Sequence, residues 1–478
     1  MEKRWLYIVF SSLVFIFLFL PITFLIYSFG KSIKYKNIVL LIASLLFYAW
    51  GEPIWIIVLI LSAIVNYVFS HLIERSRGSF LCKASLITSI AISLGLLVFF
   101  KYSNFIVNNI NIISPIKFSI HAISMPIGIS FYTFELLTYI IDVYNKKTRA
   151  SNSILNLLMY TSLFTQVMMG PIVRYVDIEE QLAYRQFSLD NLASGLTKFL
   201  VGLSKKVLIA NYASKLVSDL LNMNVQGLSM AGMWLGIILY ALQIYFDFSG
   251  YSDMAIGIAR MFGFNFKENF EYPYVSTSIT DFWRRWHISL GSFFREYVYI
   301  PLGGNRHDQI RNLLVVWFLT GLWHGASWNF ILWGLYFFVF LVIEKFLLLK
   351  YFKKIPKVIS HVYFLIIILV GWILFYFTNM IDLRDAVKIM FGFTKVPFLS
   401  TKVQIIFLNN YIFIIIAILA CLPIVKYLKN LLNVLFNKSK FGVYATIASK
   451  VVINLSLMFM SLASLVGSSY SPFLYFKF

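Results

Sequence analysis

The sequence predicts an all-α polytopic membrane protein of roughly 11–13 spans. Three observations carry that prediction. Of 478 residues, 60% are hydrophobic and 18% aromatic, with a mean hydropathy of +0.80, which leaves too little polar surface for a water-soluble chain of this length. Apolar runs recur from end to end, most of them near the roughly 20 residues a helix needs to cross the hydrocarbon core. Polar and often basic loops punctuate those runs.

Taken in order, the runs cover residues 6–29, 38–50, 54–73, 84–100, 358–377, 405–425 and 447–466. The first continues past Pro21 with no small-residue cleavage site and reads as a retained anchor. The loops "KSIKYK" (31–36), "ERSRGSFLCK" (74–83) and "NKKTR" (145–149) are basic, whereas the turns near Gly51 and Tyr102 carry little charge. Basic loops collect on the cytoplasmic side. That places these three inside and the N-terminus outside, although Lys3 and Arg4 weigh the other way. The same rule accounts for the net charge of +21 without nucleic acid. Two cysteines, Cys82 and Cys421, form neither a metal spacing nor a disulfide framework.

The character of the chain changes after residue 145. Residues 1–145 read as peripheral spans, 146–345 as a catalytic core with polar helices, 346–470 as C-terminal spans and 471–478 as an aromatic tail, all within one membrane domain. Residues 190–222 carry Lys198, Lys205 and Lys206 and suit a tilted or interfacial helix as well as a span. "DLRDAVKIMFGF" (382–393) reads as a short amphipathic surface helix.

The densest polar chemistry lies in "SITDFWRRWHISLGSFFREYVYIPLGGNR" (278–306). Trp283, Trp286, Leu290, Phe293 and Tyr297 recur at helical spacing as an apolar face. Asp281, Arg284, His287, Gly291 and Arg295 form a neighbouring stripe, with Thr280 as an expected cap. So many charges cannot face lipid. The helix therefore lies in the interface, with its arginines on lipid phosphates, or re-enters the membrane, or lines a wet cavity. "FLTGLWHGASWNFILWG" (318–334) reads as a span with His324 in its middle and small residues around it. An ionisable group in a span is a functional candidate, although packing is the bland alternative. Histidine has the unperturbed pKa that suits proton transfer at neutral pH. A third polar stretch, "YFDFSGYSDMAIGIARMFGF" (245–264), places Asp253 and Arg260 on one face and reads as a buried ion pair that fixes helix packing.

These motifs together resemble the membrane-bound O-acyltransferase (MBOAT) family, in its bacterial branch of alginate and peptidoglycan O-acetyltransferases. "MPIGISFYTFELLTYIIDVY" (125–144), "MGPIVRYVDIEEQL" (169–182) and "FDFSGYSDMAIGIARMFGFNFKENFEYPY" (246–274) fit the same branch in the same order. The resemblance implies an MBOAT-like helical bundle with re-entrant or interfacial helices around a central tunnel. It implies an acyl group taken from a cytoplasmic thioester and passed to a hydroxyl at or beyond the membrane. His324 in "LWHG" matches the catalytic histidine and is assigned as the base. His287 in "RRWH" is assigned a supporting role, lining the tunnel or orienting an acyl carrier. Arg284, Arg285 and Arg295 are assigned to the acyl donor, acetyl-CoA or an acyl-carrier thioester. No metal and no permanently bound cofactor are expected.

The C-terminal "SPFLYFKF" (471–478) is similar to an FxYxxF motif of this branch, matched by Phe473, Tyr475 and Phe478. The resemblance implies a third catalytic residue, Tyr475, that carries the acyl group toward an extracytoplasmic acetyltransferase partner. The bland reading of the tail is an aromatic belt at the interface. A polysaccharide acceptor, a lipid bilayer and a place in the bacterial cytoplasmic membrane complete the expectation. Teichoic acid D-alanyl transfer, a transporter and a non-catalytic assembly subunit are the alternatives. The absence of a G-x-S-x-G elbow disfavours a serine hydrolase.

Overall fold

Lipid dictates the architecture, because a helix satisfies all its backbone groups within one segment. In the computed structural model the described residues are 9–119, 124–223, 228–352, 354–424, 427 and 440–467. Among them regular structure is helical and no strand occurs. Eight helices of the described residues are long and apolar enough to cross a membrane, so the chain is a polytopic helical membrane protein. One apolar run read from the sequence folds short among the described residues: the helical stretch Phe15–Phe29 is about 22 Å long, below the ~30 Å hydrocarbon thickness.

The chain divides into two compact units. The first comprises Met1–Phe199, Ser252–Lys267 and Ser292–Pro301. It holds α1 (Leu20–Phe29), α2 (Ile33–Gly51), α3 (Ile56–Arg75), α4 (Phe80–Ile113), α5 (Ile129–Tyr144), α6 (Ile154–Ser162), α7 (Tyr175–Ala183) and most of α8 (Leu189–Ser204). Serine side chains start several of these helices: Ser32 accepts from the Tyr35 N–H, Ser79 from the Cys82 N–H and Ser153 from the Asn156 N–H. Polar bridges join α3 to its neighbours. Asn66 donates to Ser93 at 3.2 Å and accepts from Ser89 at 3.0 Å on α4, and Tyr139 of α5 donates to Ser70 at 2.9 Å. Gly128 opens α5 with φ +78°, and a Cβ there would stand 2.0 Å from the Val167 carbonyl oxygen. Both facts demand glycine.

The second unit comprises Leu200–Tyr251, Glu268–Gly291 and Leu302–Phe478. It holds α9 (Asn211–Leu221) and much of α10 (Met230–Met261), then α11 (Ile279–Arg285) and the start of α12 (Ile288–Phe294). There follow α13 (Gln309–His324), α14 (Trp328–Ile343), α15 (Leu349–Phe352), α16 (Lys357–Tyr376), α17 (Met380–Met390), α18 (Thr401–Ala420) and α19 (Lys440–Gly467). Its core is aromatic: Trp283 packs against Trp317, Trp333 and Phe337, with ring centroids 4.9–5.4 Å apart.

Two expected helices are corrected here. The continuous helix expected beyond Ser278 is two short helices with a turn at Trp286 and His287, so the stripe from Asp281 to Arg295 does not run along one face. The span expected at 318–334 is a helical hairpin that breaks at Gly325–Ser327. His324 is the last residue of α13 and not the middle of a span. The small residues around it let backbones meet. A Cβ on Gly321 would lie 2.4 Å from the Phe330 carbonyl oxygen, and one on Gly334 would lie 2.3 Å from that of Trp317.

Candidate active site

Both helix breaks occur in the second unit, and each presents one of the two histidines singled out in the sequence. The first break begins with the way α11 is anchored. Ser278 accepts the Asp281 N–H at 3.0 Å. The buried Glu344 carboxylate accepts the Ile279 N–H at 2.6 Å, the Thr280 N–H at 2.8 Å and the Thr280 hydroxyl at 2.7 Å. A helix start offers orphan N–H groups and favours negative charge, so Glu344 satisfies both demands. Thr280, expected as the cap, is a donor instead; the capping oxygens belong to Ser278 and Glu344.

At the other end of α11 the backbone leaves helical geometry at Trp286, φ −98° and ψ 127°. His287 then takes φ +46°, a left-handed conformation uncommon for a residue with a Cβ. Asn269 holds this turn. Its carbonyl oxygen accepts the Ile288 N–H at 2.9 Å, and its side-chain Oδ1 accepts the Ser289 N–H at 3.0 Å. The same Oδ1 lies 3.2 Å from His287 Nδ1, and the Ser289 hydroxyl lies 3.5 Å from it. His287 is 2% exposed. Its Nε2 has no hydrogen-bond partner among the described residues. The ring lies outside the eight candidate spans. Burial pushes its imidazole down to about 3, so it is neutral at physiological pH.

The second break positions His324 by rings. Trp323, Trp333 and Phe375 stand 4.8, 4.8 and 5.1 Å from it, all edge-on. Trp323 also lies 5.8 Å from His287, so one indole contacts both imidazoles. Phe330 closes the turn: a Cβ on Gly325 would meet its ring at 2.3 Å.

The structure thus brings His287 and His324 together about Trp323. Arg285, on α11, is held by Asp281 at 3.0 Å, while Arg284 on the same helix is exposed. Arg295 is exposed and belongs to the first unit. Tyr475, with Phe473 and Phe478, lies outside the described residues. Asp253, expected beside Arg260 as a structural pair, bonds to Lys198 at 3.0 Å. No group of three or more metal-ligating side chains gathers among the described residues.

Comparison with known proteins decides the class of chemistry. The sequence pattern of the MBOAT, membrane-bound O-acyltransferase family matches residues 143–384, just over half of the chain. The chain belongs to that family. This MBOAT protein is 39% identical over 396 residues to a probable alginate O-acetylase of Pseudomonas aeruginosa, covering 80% of this chain and 75% of the relative. It is 33% identical over 422 residues to a peptidoglycan O-acetyltransferase of Helicobacter pylori, covering 80% and 79%. Similarity to a teichoic acid D-alanyltransferase of Bacillus subtilis is 30% over 236 residues and covers 46% of this chain. As an MBOAT protein it is an acyltransferase. The matched region contains both histidines, Asn269 and Glu344.

Three residues of the site were not singled out in the sequence. Glu344 had a signal, as a lone acid in the apolar "LYFFVFLVIEKFLLL". Trp323 and Asn269 had none beyond lying in family motifs, because their roles depend on contacts distant in sequence.

Proposed function

We propose that the enzyme moves an acetyl group from a cytoplasmic thioester across the membrane for O-acetylation of an extracytoplasmic polysaccharide. The observation that carries this reading is breadth of similarity. Two kinds of polysaccharide O-acetylating enzyme match 80% of the chain, against 46% for the D-alanyl transferase. In the proposed step His324 takes the proton from an attacking hydroxyl. The hydroxyl oxygen forms a bond to the thioester carbonyl carbon, the carbon–sulfur bond breaks, and the proton passes from His324 to the leaving sulfur. Products are an ester and a thiol. Rings on several sides of His324 keep the site dry, which strengthens every electrostatic contact there.

The finer assignments are part of the same proposal. Acetyl-CoA or an acyl-carrier thioester is the donor, approached by Arg284 and Arg285. Tyr475 is the first hydroxyl acylated and hands the acetyl group to an extracytoplasmic partner enzyme. The membrane is the bacterial cytoplasmic membrane, and the acceptor is an alginate-like exopolysaccharide or a cell-wall glycan. The test supplies membrane vesicles with radiolabelled acetyl-CoA or with a labelled acetyl carrier protein. Base-labile label on the protein is expected for wild type and not for Tyr475→Phe. Equal labelling of both removes the tyrosine relay, and label from neither thioester removes the donor assignment.

A further inference from the structure

We propose that Asn269 is a positioning residue for the acyl transfer, fixing His287 with its proton on Nδ1 so that Nε2 offers the substrate a lone pair and never an N–H. The part played by that lone pair rests on the acyltransferase reading; the tautomer rests on the geometry around Nδ1 and on the neutrality that burial imposes. An amide side chain can be flipped without changing its shape, but one neighbour settles Asn269. The Ser289 backbone N–H, 3.0 Å away, can only donate, so the atom facing it is oxygen. That oxygen is also 3.2 Å from His287 Nδ1. Oxygen accepts, so Nδ1 carries hydrogen. A neutral imidazole has a single N–H, which leaves Nε2 as the acceptor.

The groups around the ring explain why Nε2 matters. His287 faces Ser289 on its own turn, Phe248 of α10 at 4.7 Å, Phe270 at 6.4 Å and Trp323 of α13 at 5.8 Å. Nε2 is buried with no hydrogen-bond partner among the described residues. A buried acceptor without a partner is costly, and sites of function retain such groups. The oxyanion formed at the thioester carbonyl needs donors, so His287 in this form does not serve it. The hydroxyl's single proton goes to His324. His287 therefore receives the remaining donor class, an amide N–H on the arm of the thioester, and orients that arm.

The direct test is nitrogen NMR on the full-length protein in lipid nanodiscs with labelled histidine, His287 being assigned by its loss in His287→Gln. The expected spectrum shows protonated Nδ1 and bare Nε2. Bare Nδ1 overturns the proposal whatever the activity. A second arm compares Asn269→Leu, which has no acceptor, with Asn269→Asp, which keeps one. The leucine variant is expected to lose the single tautomer and about tenfold of the polysaccharide ester acetate, the scale on which partners that orient histidines act. The aspartate variant is expected to keep both. Full ester acetate in Asn269→Leu, where His324→Ala loses it, refutes the positioning role and leaves the acyltransferase reading standing. Full ester acetate in His324→Ala refutes that reading instead, while the wild-type spectrum still decides the tautomer. Failure of Asn269→Leu to reach the membrane leaves the wild-type spectrum as the deciding result.

Discussion

Two buried histidines contact the same indole of Trp323, and their described surroundings differ. His287 sits in a left-handed turn clamped by Asn269 through two backbone N–H groups and its own Nδ1. His324 ends a helix and is boxed by three rings. Hydrogen bonds choose a tautomer, and surrounding rings narrow the positions an imidazole can take and bury it. The contrast suits a division of labour in which the first ring keeps a fixed hydrogen-bonding identity. The second ring is kept dry and placed for chemistry that changes its protonation.

Breaking the second histidine carries the largest expected effect. His324→Ala should lower ester formation by about 100-fold or more, the scale of a lost general base, with the protein level unchanged on a membrane blot. Next comes the hairpin that carries His324. Gly334→Ala sets a Cβ 2.3 Å from the Trp317 carbonyl oxygen, and backbone cannot yield as a side chain can. We expect a loss of about 3 kcal/mol, read as a lower thermal midpoint in detergent and as reduced activity. Glu344→Gln should be smaller, about 2 kcal/mol, because one amide oxygen replaces a carboxylate that takes three donors. Its thermal shift should disturb the His287 side of the comparison, through α11, more than the His324 side. Asp281→Asn should cost least, at about 0.5 kcal/mol, since Asp281 and Arg285 are both part-exposed.

Acid sharpens the comparison from another direction. Burial lowers the His287 imidazole from 6.5 to about 3, so the folded protein binds fewer protons at this ring than the unfolded chain. Stability from this group is fully present above about 6.5 and declines as pH falls toward about 3. Thermal midpoints of His287→Gln should therefore fall less steeply across that range than those of wild type. Parallel curves would mean that His287 does not titrate as its burial dictates.

The fold class was legible because hydropathy is a property of composition, and lipid leaves helices as the answer. The two breaks were less legible, for different reasons. Apolar residues from Trp283 to Tyr297 keep helical spacing across the break, so periodicity alone continues the helix through His287. What stops it is Asn269, 18 residues upstream, a tertiary fact. The hairpin at His324 did carry a local signal in Gly325 and Ser327. That signal lost to an apolar run long enough to pass as one span. The histidines themselves were legible as ionisable groups in apolar surroundings, and the family motifs tied them to acyl transfer. Glu344 obeys the same rule, but the denser charge of residues 278–306 masks it in the sequence.

The central claim is that His324 serves as the base for acetylating an extracytoplasmic polysaccharide. The most direct measurement is the ester acetate released by mild base from cell envelope and secreted polysaccharide. Cells expressing wild type or His324→Ala at matched membrane levels would be compared. The account predicts that ester acetate falls to background in the variant, in one identifiable polymer fraction. Equal acetate in every fraction would make His324 a packing residue and contradict the account.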